Sequence, residues 1–339
     1  MKAEPETPNP RMGEASTGAE YDFGGRLTRT FPSQVVIDAT ELCNLECVHC
    51  AHPHFKRTEF YSGKSLDPNL SHKVADEVSG AGKGLCRYIR FTGEGEPLIA
   101  PHIFEMLDYA VTNSGTTVTI TTNGSLNHPG KVERLMATGV DLVDVSIDAF
   151  SPETYASIRV KGDLNVTRDN VKRMIALSKG AGCRTKVVVS YIEQKENIHE
   201  TADFEKYWKD QGADYVVIRR MHSHAGVIVQ IARSLHEMNK QGLRRPCLYP
   251  WERIVLNPRG FLSFCPNDWV HGSNIADYRT ATIAETWQGE FYTRLRQAHL
   301  ANCYVNHEFC GQCPDWASTR WPTEGRSYAD LVEDFKGCE

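Results

Sequence analysis

Long apolar runs are absent from this chain. The longest, 186–190 and 215–218, have the length of a strand and fall far short of the ~20 residues a membrane helix needs. A block of like charge is also absent. Lys and Arg number 38 against 43 Asp and Glu, a net charge of -5, with no basic stripe of the kind a nucleic-acid surface requires. Neither a membrane nor a nucleic acid is therefore expected as a partner. The opening stretch, MKAEPETPNPRMGEASTGAEYDFGG, holds no apolar core for a signal peptide. Its Pro, Glu, Gly and Thr content reads as a disordered segment over 1–30. The expected location is the cytoplasm, where eleven cysteines, an odd number, do not form a disulfide set. Clustered thiols in a reducing compartment bind metal instead.

What is present is ordinary globular material: 40% hydrophobic and 24% charged residues over a length of 339. That fits one large α/β unit with a smaller appendage. From residue 34 to about 225, β-rich runs (34–38, 88–92, 117–121, 142–147, 186–191 and 215–219) alternate with helical patterns (69–81, 103–113, 170–179 and 201–211). In 103–113 the apolar positions 103, 106, 107, 110 and 111 form one helical face. Such alternation implies parallel strands with right-handed crossovers. Six units are too few to close an eight-stranded barrel, so the expected class is α/β, a partial (β/α)6 TIM-like barrel or an open sheet. The chemistry should sit on the loops after the strands. The boundaries read as a core at 31–228, a polar linker at 229–246, a cysteine-rich module at 247–320 and a tail at 321–339 with a short helix at 328–335.

The stretch TELCNLECVHCAHP (40–53) begins its cysteines five residues after the first strand. Cys43, Cys47 and Cys50 follow C-x3-C-x2-C. Three close thiolates suit a soft metal. Structural zinc takes four ligands, and His49 or His52 offers a fourth. An iron–sulfur cube has four iron corners, so three cysteines leave one iron open to a small molecule.

This loop after the first strand resembles that of the radical S-adenosylmethionine (SAM) superfamily. The resemblance covers residues 34–225. It implies a [4Fe-4S] cluster on Cys43, Cys47 and Cys50 whose open iron is chelated by SAM. It also implies reductive cleavage of SAM to a 5'-deoxyadenosyl radical, and a flavodoxin-like or other one-electron donor. FTGEGEP (91–97) matches the family's glycine-rich motif through Gly95 and Glu96, with a Glu in place of one glycine. There the glycine admits close backbone approach, and the Glu meets the methionine ammonium. TTNG (121–124) corresponds to a ribose-contacting turn, which brings in Asn123. Ser146 and Arg159 map to residues that meet the SAM carboxylate. His49 and Asp148 fall among the cofactor contacts, although Asp148 also suits a helix cap with Ser151.

Further on, Cys247 and Cys265 bracket WERIVLNPRGFLSF as C-x12-G-x4-C, and Cys310 and Cys313 form C-x2-C. A hairpin turning at Gly260 plus a C-x2-C is also the layout of a zinc ribbon, and spacing alone leaves both readings open. The resemblance extends to the auxiliary-cluster modules of radical SAM enzymes called SPASM and Twitch. No second cysteine series follows Cys313, which implies the one-cluster Twitch form on Cys247, Cys265, Cys310 and Cys313, with Cys303 as a spare ligand. Cys86 and Cys183 read as buried small hydrophobes.

The 247/265 and 310/313 intervals resemble those of the butirosin aminocyclitol dehydrogenase family and related sugar-acting enzymes of antibiotic biosynthesis. That implies oxidation of an alcohol to a ketone on a sugar, aminocyclitol or nucleoside sugar. Radical decarboxylation of a sugar acid, such as a glucuronyl nucleoside, is the alternative. Peptide maturation ranks third, since residues 1–33 are short and polar for a peptide-recognition domain. A purely structural or electron-relay protein would not need an open three-cysteine site. For the substrate, the candidates are Glu193 after the fifth strand, Arg220 and His222 in IRRMHSH (218–224), and Asp268 just after Cys265.

Overall fold

The computed structural model describes residues 27–125, 130–180, 182–239 and 244–319. The tail at 321–339, with its expected helix, lies outside them, as does most of the segment 1–30. Residues 27–30 correct that expectation. Leu27 packs with Leu248 and Trp251, and the Thr28 carbonyl accepts the Trp287 indole N–H at 3.1 Å.

Six strands, β1 (Gln34–Ile37), β2 (Tyr88–Phe91), β3 (Thr117–Thr122), β4 (Leu142–Ser146), β5 (Lys186–Glu193) and β6 (Tyr215–Arg220), pair in sequence order, all parallel. This is the partial TIM-like barrel expected of the alternation. β1 is wholly buried, as a strand covered on both faces must be. Helices Pro68–Ser79, Ile103–Asn113, Leu164–Ser178 and Thr201–Asp210 supply the crossovers. Caps set their starts: the Asp67 carboxylate accepts the Asn69 amide at 2.9 Å, and the Asp163 carboxylate accepts that of Asn165 at 2.8 Å. The Asp163 cap begins its helix six residues before the apolar pattern suggests. Two short helices, Lys131–Ala137 and Pro152–Ile158, were not expected, because seven residues carry barely two turns of periodicity.

Three more strands follow: β7 (Arg253–Leu256), β8 (Phe261–Ser263) and β9 (Asn274–Asp277). β7–β8 is the expected hairpin, with Gly260 at φ +82° in the turn. β7 then pairs in parallel with β1, so barrel and module share one nine-stranded sheet, β6-β5-β4-β3-β2-β1-β7-β8-β9. They also share one core. Val35, Ile89 and Val143 of the barrel belong to the same apolar cluster as Leu262, Trp287 and Tyr292. The linker at 229–246 is not plain coil. A helix, Val229–Asn239, forms there on apolar positions 229, 231, 232, 235 and 238, although only Ala232 is buried. Among the described residues no helix is long and apolar enough to cross a membrane.

Candidate active site

The loop after β1 is pinned at its base before the cysteines arrive. Asp38, buried, accepts the Glu94 amide at 2.8 Å. Glu41, also buried, accepts the Ser62 amide and hydroxyl at 2.7 and 2.9 Å and the Arg259 guanidinium at 2.9 Å. Further along, the Glu46 and Val48 amides bond the carbonyls of Val160 and Ile158, each at 3.0 Å. This frame holds Cys43, Cys47 and Cys50 together: burial raises all three pKa values, and Cys47 adds to the rise at Cys43 and Cys50. The Cys43 thiol is pushed up to about 11 and that of Cys50 to about 12. Buried, mutually opposed thiols become thiolates only with a cation among them, so the set fits a cluster with three ligands. The two histidines of the loop are each engaged through Nε2. The His52 Nε2 lies 2.9 Å from the Glu41 carbonyl, and the His49 Nε2 lies 3.4 Å from the Asp148 carboxylate.

Cys247, Cys265, Cys310 and Cys313 line one pocket with Tyr249, Phe264 and Phe309. Burial again raises all four, Cys247 to about 11 and Cys313 to about 12. None of the cysteines among the described residues is in a disulfide. Four thiols around one apolar pocket are enough to ligate a cluster or metal fully, where the first loop offers three.

The glycines of TGEGEP act on the protein itself. A Cβ on Gly95 would sit 2.2 Å from the Thr40 carbonyl oxygen and 2.3 Å from that of Leu42. One on Gly93 would meet the Asp38 carboxyl carbon at 2.1 Å. Glycine is thus needed to stack the β2 loop on the cysteine loop, a demand unlike the ligand approach the sequence suggested. Glu96 is spoken for as well. Its carboxylate accepts the Thr122 hydroxyl and the Asn123 amide, both at 2.7 Å, and the Leu98 amide at 3.2 Å. Asn123 donates to the Asn44 side chain at 2.9 Å, tying the β3 turn to the cysteine loop. Asp148, in the left-handed region at φ +64°, accepts the Ile192 amide at 2.6 Å and binds Arg159 through two nitrogens.

Inside the barrel lies a cavity of about 750 Å³. Thr92, Thr121, Ser146 and Ser190 line it with hydroxyls. Asp144, wholly buried, meets Arg219 at 2.6 Å and Arg90 at 3.4 Å and accepts the Ser190 hydroxyl. Arg90 also donates to Thr121 at 2.9 Å. The sequence reading passed over Arg90 and Asp144, and it took Arg219 only as one of the two arginines of IRRMHSH. Their signal was there: charged residues inside the strands YIRF, LVDVS and YVVIRR, at positions facing the barrel interior.

Two family models match the chain: the radical SAM superfamily over residues 37–205, and an iron-sulfur cluster-binding domain, SPASM, over residues 247–314. The chain joins a radical SAM domain to a SPASM module. Such an enzyme takes SAM and [4Fe-4S] clusters as cofactors. Among curated proteins, the AdoMet-dependent heme synthase of Methanosarcina barkeri is 36% identical over 128 residues, 38% of this chain and 34% of that one. A GTP 3',8-cyclase of Desulforamulus reducens is 32% identical over 176 residues, 51% of each chain. The chain thus spans about a third to a half of the length of these relatives. Among solved structures, BtrN in complex with AdoMet and 2-DOIA aligns with TM-score 0.55 at 16% identity, over 83% of this chain and 92% of that one. Streptococcus suis SuiB bound to the precursor peptide SuiA aligns with TM-score 0.59 at 15% identity, over 90% and 73%. At these identities the likeness is one of fold.

Around the radical SAM domain the expected substrate residues separate. Glu193, Arg220 and His222 all line the barrel cavity. Glu193 accepts the Thr201 hydroxyl at 2.9 Å, and Arg220 lies at the exposed rim. The His222 Nδ1 is buried with no hydrogen-bond partner, and burial lowers the ring's pKa. Asp268 does not reach this cavity. It accepts the Val270 and Ser273 amides at 3.1 and 2.5 Å, closing the turn before β9. Cys303 is exposed on a groove with Val305 and His307, apart from the four-cysteine pocket, so it is no spare ligand.

Proposed function

We propose that this enzyme takes a hydrogen atom from a carbinol carbon of a small polyhydroxylated substrate, a sugar, aminocyclitol or nucleoside sugar, and oxidises the alcohol to a ketone. The barrel cavity carries the reading: hydroxyls of Thr92, Thr121, Ser146 and Ser190 beside Asp144 and two arginines suit a polyol and not an apolar ligand. In this reading Cys43, Cys47 and Cys50 hold the SAM-binding cluster. Cys247, Cys265, Cys310 and Cys313 hold the auxiliary one. When bound, these groups supply the radical that takes the hydrogen and an acceptor for the remaining electron. The chain's own task is to orient the hydroxyl and take its proton. His222 fits that task, because burial favours the neutral imidazole and the residue lines the cavity. Ser146, at the cavity wall, is placed to orient SAM or substrate through its hydroxyl. A flavodoxin-like protein is the proposed electron donor.

A second reading, decarboxylation of a sugar acid, is favoured by two guanidinium groups, those of Arg90 and Arg219, on the cavity wall, a chemistry suited to a carboxylate. One experiment separates the two. Reconstituted enzyme with about eight irons per chain is incubated with SAM, reductant and candidate polyols or sugar acids. Mass spectrometry then follows 5'-deoxyadenosine and products. A carbinol deuterium appearing in 5'-deoxyadenosine, with a product lighter by two hydrogens, supports oxidation. Loss of carbon dioxide supports the second reading. Formation of 5'-deoxyadenosine with every polyol and sugar acid left unchanged rejects both.

A further inference from the structure

Where the radical SAM domain meets the SPASM module, a second, much smaller cavity of about 20 Å³ lies between Asp38, Glu94, Asp268 and His271. It has room for one ion or one water and for no substrate. Four carboxylates gather here: Asp38, Glu41, Glu94 and Asp268. Three are occupied. Asp38 and Asp268 accept backbone amides, and Glu41 accepts Ser62 and the Arg259 guanidinium. Glu94 is not. It is 8% exposed, and its Oε2 is buried without a hydrogen-bond partner. Facing it is the His271 Nε2, also buried and without a partner, while that ring bonds the Phe60 backbone. Ligand atoms of Glu41, Glu94 and His271 all lie within 4.8 Å of one another. His271 is held there by a backbone in the left-handed region, φ +57°.

Acceptors facing acceptors in a buried space are costly unless something positive lies between them. A ring nitrogen oriented through a backbone hydrogen bond is the usual second-sphere arrangement of a metal-bound histidine. We propose that Glu41, Glu94 and His271 bind one divalent transition-metal cation, distinct from both clusters, that ties the two domains together. Two carboxylates and an imidazole suit Mn2+, Fe2+ or Zn2+. Glu41 and Glu94 come from the loops after β1 and β2, and His271 from the loop between β8 and β9, so the ion would cross the joint.

Mn2+ is the probe, since it avoids thiolates. It is titrated anaerobically into the reconstituted holoenzyme with both clusters in their diamagnetic oxidised state, and free Mn2+ is followed by its six-line EPR signal. One equivalent is bound by the wild type and lost in Glu94→Gln and His271→Gln, both retaining about eight irons. Pulsed EPR of the Mn2+-loaded wild type shows nitrogen coupling from one imidazole, a readout that survives if a variant fails to fold. Mn2+ left free by the wild type, bound unchanged by both variants, or bound without nitrogen coupling overturns the proposal. The first result would leave a shared proton as what neutralises the cavity.

Discussion

Replacing Asp148 by alanine strips Arg159 of the carboxylate that holds it. Arg159 is 6% exposed and Asp148 0%, so water does not fill in for the lost partner. Breaking a buried ion pair from one side costs about 3–5 kcal/mol, because a charge is left without compensation. The Ile192 amide loses its acceptor in the same step. For 339 residues an unfolding entropy of about 2.1 cal/mol/K per residue gives about 0.7 kcal/mol/K, so the melting temperature falls by about 4–7 °C. Asp148→Asn falls short of that loss, since asparagine tolerates the left-handed backbone and keeps an acceptor for Ile192. Asp148→Ala/Arg159→Met is more stable than Asp148→Ala alone, because the orphaned charge goes while most of the side-chain volume stays. Anaerobic calorimetry on enzymes of equal iron content measures all four. A loss below about 1 kcal/mol in Asp148→Ala, or a double variant less stable than Asp148→Ala, refutes the reasoning.

His222→Gln removes the proposed proton acceptor. Product formation falls by about 10²–10⁴-fold while uncoupled formation of 5'-deoxyadenosine and the iron content persist, as chromatography and iron analysis show. Gly95→Ala forces a methyl against two backbone carbonyls of the cysteine loop and drops the iron content towards about four, with SAM cleavage lost. Asp38 is pushed up to about 8 by burial, so it is protonated when folded and ionised when unfolded at neutral pH. Its stabilising contribution is full below its unfolded pKa of 3.8 and disappears as pH rises through about 8. Asp38→Asn cannot ionise, so its melting temperature gains on the wild type's between pH 5 and 8. A constant gap across that range contradicts the assignment.

The strand–helix alternation, the three-cysteine loop and the C-x12-G-x4-C hairpin were legible because each is local. Side-chain period and short spacings follow from backbone geometry within a few residues, so the chain states them directly. The expected strands correspond to β1–β6 within one or two residues, and Gly260 sits in its turn. What the sequence by itself determined is therefore the order of elements and the grouping of the seven cysteines. Only the tertiary structure decided which polar side chains meet. That β7 joins β1, that Asp144 gathers Arg90 and Arg219, and that Asp268 stays outside the barrel cavity depend on strand register and loop closure across 54 to more than 200 residues. Glu96 and Arg159, which the sequence suggested as SAM contacts, are held by Thr122, Asn123 and Asp148. A motif specifies a residue and its strand end; its hydrogen-bond partners come from other strands, and packing selects them.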